Sequence, residues 1–105
     1  MGKKISKTEA REWTKRFIQA GKGAKSVMFR KEDVLDLLNQ PACEGIRIYN
    51  AYDPDNKQHP FTMFLVGTTA NGTNLLPTNE AGINENYSIW DDGEFCPPIC
   101  PPNDL

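Results

Sequence analysis

An α+β fold is predicted for this chain: two helices packed on a three-stranded antiparallel meander, with an irregular C-terminal segment. Three observations point there. Apolar residues recur at helical spacing as far as Asn39, the period changes to two from Gly45 onward, and Asn71-Gly72 marks a tight turn after a second apolar run. A length of 105 residues allows one domain with one core. That domain is read as residues 1–94, and residues 95–105 form a Cys/Pro-rich tail.

The first helix is expected over about Lys7 to Ala20. Ser6 and Glu9 have the spacing of a capping box, Ala10, Trp13, Phe17 and Ala20 fall on one face, and Gly21 supplies the stop. On the opposite side Lys7, Arg11 and Lys15 stack at i, i+4, i+8, a column of like charge that calls for an acidic neighbour. Lys22 to Lys25 is a link, and Ser26 to Phe29 is a short strand or an extended lead-in. The second helix, about Lys31 to Asn39, carries Glu32 and Asp33 at its positive end, is expected to bury Val34, Leu35, Leu37 and Leu38, and is closed by Pro41. Gly45 to Tyr52 reads as a strand with Ile46, Ile48 and Tyr52 on one face. Phe61 to Thr68 reads as a more fully buried strand. Asn71-Gly72 implies a type I′ turn into a third strand around Thr73 to Pro77. The Asn-, Asp-, Glu- and Gly-rich stretch at 78–94 wraps the surface, anchored by Tyr87, Ile89 and Trp90.

Composition narrows the class further. A hydrophobic content of 38% is too high for disorder, and the longest apolar stretch, Met63 to Val66, is strand-sized, so no transmembrane segment is expected. The basic start leads into a charged amphipathic pattern instead of a signal-peptide core, which makes a cytoplasmic location the expectation. Charge is divided sharply along the chain. Residues 1–31 carry ten Lys/Arg and two acids, a net of +8, and the remainder carries two Lys/Arg and twelve acids, a net of −10. Lys3, Lys4, Lys7, Arg11, Lys15 and Lys22 therefore define a basic surface, which either meets the acidic half of the same chain or an acidic partner. A sequence pI near 5.3 argues against nucleic acid as that partner.

The tail carries the clearest chemistry. Cys96-Pro97-Pro98-Ile99-Cys100 places two sulfurs four positions apart. An extended polyproline path would separate their Cα atoms by about 12 Å, too far for a disulfide, whereas a turn at Pro97 or Pro98 removes the conflict. Together with Cys43 the pair are candidates for a disulfide or a zinc site, and the three-residue spacer suits a metal. The plainer alternative is a strap whose thiols pack apolarly, with Cys43 a small core residue. Cys43 and His59 also suggest a nucleophile and its base, but the expected hairpin holds them at opposite ends, on the order of 25 Å apart. His59 is then an exposed loop residue. Gly21 to Ser26 lacks the glycines of a phosphate loop, and Asp53 to Gln58 lacks the ligands of a calcium loop, so neither carries chemistry.

Across Gln40-Pro41-Ala42-Cys43-Glu44-Gly45-Ile46-Arg47-Ile48-Tyr49, Phe64-Leu65-Val66-Gly67, Asn71-Gly72 and the Cys96-Pro97-Pro98-Ile99-Cys100 tail, the chain resembles small uncharacterised proteins of Bacteroidota-type bacteria. The resemblance covers about residues 26 to 100. It implies a bacterial, cytosolic setting and brings no activity, cofactor or catalytic residue with it. The functional expectation is a non-catalytic module that docks to another protein. A thiol or zinc protein using Cys43, Cys96 and Cys100 is the first alternative, and an anionic-surface or nucleic-acid binder the second.

Overall fold

The computed structural model describes residues 2–21, 23–78, 87–91, 93–96 and 98–105. Helix α1 spans Lys7–Ala20. The Ser6 side chain accepts from the Glu9 N–H at 3.0 Å, the Glu9 carboxylate reaches back to Ser6, and Gly21 closes the helix with φ 66°. Strand β1 (Ser26–Met28) follows, then helix α2 (Lys31–Leu38), whose Glu32 and Asp33 lie against its positive end.

Strands β2 (Gly45–Tyr52) and β3 (Phe61–Thr68) form the expected hairpin, paired from Gly45↔Thr68 to Tyr52↔Phe61. Strand β3 is the more fully buried of the two, closed continuously from Leu65 to Thr68, whereas on the expected apolar face of β2 only Ile46 is half-buried and Ile48 and Tyr52 are exposed. Tyr49, on the other face, stacks on Phe64 at 5.2 Å. The third strand of the antiparallel sheet is not at residues 73–77. It is β4 (Ile89–Trp90), which pairs with Leu65 and Val66, and residues 73–77 form no strand, meeting β3 through the bridge Thr68↔Asn74 and a bond from Leu75 N–H to the Gly67 carbonyl. The turn before it is not type I′ either. Gly72 alone has positive φ, 89°, its N–H donates to the Thr69 carbonyl, and Thr69 N–H donates to the Thr73 carbonyl. This is a three-residue loop with a glycine bulge. Asn71 stays out of the left-handed region because its side-chain oxygen accepts from the hydroxyls of Thr69 and Thr73.

Asp53 N–H donates to the Pro60 carbonyl at 2.6 Å, which sets the alternation of the β2–β3 ladder. Gly45, Arg47, Tyr49 and Ala51 direct their backbone groups to β3. The N–H and C=O groups of Ile46, Ile48, Asn50 and Tyr52 point away from it, along an edge that no described strand covers.

Helix α2 packs on β2 and β3, and its end is tied to β4 by polar side chains. Asp36 and Gln40, one turn apart, take the Trp90 indole N–H at 2.9 Å and the Ser88 N–H at 2.6 Å. Of the four apolar residues expected to be buried in α2, Leu37 is buried and Val34 half-buried, while Leu35 and Leu38 are exposed. The helix is short and touches the sheet along one line, so its flanks stay wet. Leu37, Leu65, Val66, Leu75 and Cys96 form the buried core among the described residues. At Gly67 a Cβ would lie 2.7 Å from Gln40 Nε2 and 2.9 Å from Cys43 Sγ, so the approach of α2 to β3 admits no side chain there. Strand β5 (Glu94–Cys96) pairs with β1 in a separate antiparallel ribbon and runs across the 94/95 point.

Candidate functional site

The ribbon of β1 and β5 places the tail. Lys25 N–H donates to the Cys96 carbonyl at 2.7 Å, Ser26 pairs with Cys96, and Arg30 at the other end forms an ion pair with Glu94. After Cys96 the chain turns, Ile99 N–H donating to the Phe95 carbonyl at 3.0 Å. That turn brings the Cα atoms of Cys96 and Cys100 to 4.7 Å, and a disulfide joins them. Of the two turn prolines considered, Pro98 is in the turn and Pro97 lies outside the described residues. The apolar strap with free thiols is therefore replaced by a cystine, with Cys96 1% exposed and Cys100 at the surface.

Asp104 returns to this cystine. Its Oδ2 lies 3.7 Å from Cys96 Sγ and accepts from Lys25 Nζ at 2.9 Å. The Lys25 ammonium holds the Asp104 carboxyl below its ordinary value, outweighing partial desolvation, with further help from the Leu105 N–H. One ligand atom from each of Cys96, Cys100 and Asp104 lies within 4.8 Å of the other two. Cys43 does not join them. It is a free thiol that donates to the Gly45 carbonyl at 3.3 Å and rests against Gly67. The chain reaches the α2–β3 contact at Cys43 and the β1–β5 ribbon at Cys96, so sequence could nominate three cysteines but not separate them.

His59 stays at the far end of the hairpin from Cys43, with the full eight-residue ladder between them. It is not an exposed loop residue, however. Its ring is half-buried and stacks on Phe95 with centroids 4.3 Å apart and planes 4° from parallel, because β5 presents an aromatic face to the 53–60 loop. Asp53 Oδ1 accepts from the Asp55 N–H, the acidic turn expected of this segment.

The basic residues Lys3, Lys4, Lys7, Arg11 and Lys15 are exposed, and Lys22 lies outside the described residues. The two ion pairs among the described residues, Lys25–Asp104 and Arg30–Glu94, both join the basic third of the chain to its acidic part, and neither includes α1. Helix α1 also buries none of its residues. Trp13, Phe17 and Ile18 are 48%, 38% and 50% exposed. Phe17 forms one wall of a groove of about 330 Å³ whose other walls include Val27, Ala51, Phe61 and Met63. The charge column and the apolar face were legible in sequence; that the face would stand off the sheet was not.

In comparison with known proteins, no family model matches the chain, and no curated protein or solved structure matches it. Among the described residues no helix is long and apolar enough to cross a membrane.

Proposed function

We propose that the protein is a non-catalytic docking module that binds another protein through the face made by α1 and the β2–β3 hairpin. One observation carries this reading: an amphipathic helix with a complete capping box buries no residue against its own chain. A 14-residue helix is marginal in water by propensity alone, and helices in proteins draw most of their stability from burying an apolar face. A partner surface supplies that burial here. The groove beside Phe17 runs past Asn50 and Ala51, next to the β2 edge with its outward backbone donors and acceptors. Such an edge accepts a polypeptide strand, which nucleic acid cannot offer. Lys7, Arg11 and Lys15, on the opposite side of α1, make no contact in this face and act through long-range attraction that favours an acidic partner.

The test is affinity capture from the source cells, followed by binding measurements with the purified captured protein. Wild type is expected to hold a defined protein partner, with affinity falling as salt rises. The double variant W13A/F17A should lose at least about tenfold in affinity, the scale of a removed aromatic anchor, while retaining its circular dichroism. Unchanged affinity in that variant, or turnover of a small substrate dependent on Cys43, would overturn the proposal.

A further inference from the structure

The geometry points to a redox-gated metal site in the tail: once a dithiol opens the cystine, Cys96, Cys100 and Asp104 take one thiophilic divalent cation of the Zn²⁺ class. The site is separate from the α1 face and stands independently of the docking proposal. Cysteine sulfur and carboxylate oxygen are both zinc ligands, and three intervening residues lie within the usual ligand spacing. In a tetrahedral zinc site, bonds of about 2.0 to 2.3 Å set neighbouring ligand atoms roughly 3.3 to 3.8 Å apart. Cys96 Sγ and Asp104 Oδ2 are already 3.7 Å apart. Only the third donor must move, and Cys100 is the exposed end of the cystine.

The step balances with a dithiol as reductant. The Cys96–Cys100 bond breaks, the dithiol becomes a disulfide, and its two electrons and two protons leave two cysteine thiols. The incoming cation displaces one proton from each thiol. Two thiolates, one carboxylate and a divalent cation sum to −1, and the Lys25 ammonium, 2.9 Å from Asp104, neutralises that charge from the outer shell. Three protein donors leave the fourth position of a tetrahedral cation to water or an outside ligand. In the oxidised chain both sulfurs are consumed by their mutual bond, so the same residues release the cation.

Cobalt(II) titration of the full chain tests this, because thiolate-to-cobalt charge transfer absorbs in the near ultraviolet in proportion to the thiolates bound. After reduction by a dithiol and its removal under inert gas, one cobalt per chain with the intensity of two thiolates is expected, displaced by Zn²⁺. The oxidised protein should bind none. Asp104→Asn, a change at a partly exposed side chain, should weaken affinity at least about tenfold, and Cys43→Ser should leave it unchanged. No binding after reduction, equal affinity in Asp104→Asn, or loss of binding in Cys43→Ser would each overturn the site.

Discussion

Asp104 shows how a single residue escapes a sequence reading and still organises a site. Its partner Lys25 is 79 positions away, and no local spacing connects them. The cysteines were legible as a pair because a five-residue turn can be judged from its prolines, whereas the carboxylate arrives only because β5 pairs with β1. Since Lys25 lowers the Asp104 pKa, the ion pair contributes stability that is fully present above the ordinary aspartate value of about 3.9 and is lost as pH falls through the lower folded value. Thermal melts of wild type and Asp104→Asn should differ, modestly, by a constant amount from neutral pH down to about 4, and should converge in stronger acid. A difference that grows on acidification would contradict this assignment. His59 illustrates the same limit: its loop position was readable, but the stack on Phe95 depends on a long-range approach.

At the level of elements, legibility followed the range of the interactions. The bounds of α1 came from a capping box and a glycine stop, those of β2 from period-two alternation and those of β3 from a short apolar run, all written within a few residues. Strand β4 is two residues long, too short for any period, and is positioned by Asp36 on α2 and Gln40 just past its C-cap. Asn71-Gly72 was readable as a turn, but its type was decided by two threonine hydroxyls on the asparagine side chain. Helix α1 is the element whose stability its own packing explains least. Replacing Ser6 by Ala removes the cap and should cost about 1 kcal/mol of helix stability. Because no residue of α1 is fully buried, that cost falls mainly on the helix itself. Amide exchange should accelerate over Lys7–Ala20 in the Ser6→Ala variant while β3 keeps its protection, and parallel loss of protection in both would show that α1 is integral to the core.

The whole molecule carries more surface than its length requires. The chain exposes 8071 Å², the undescribed residues included, where a compact monomer of this size exposes about 5,900 Å². Its radius of gyration is 15.4 Å, against about 13 Å for a compact chain of this length. A standard protein interface covers about 800 Å² of each partner, and the exposed apolar surface among the described residues includes Trp13 and Phe17 beside an uncovered strand edge. An unpartnered helix face, a groove and a free edge on one side of the molecule make a single surface for a polypeptide with acidic character. The most direct measurement is photo-crosslinking in the source cells with benzoylphenylalanine placed at Phe17, and at Glu12 on another side of α1 as the control. The Phe17 position is expected to yield one discrete adduct with a second protein, abolished by a Trp13→Ala change and absent from the Glu12 position. Adducts that are missing at Phe17, or equally frequent at both positions, would contradict the account.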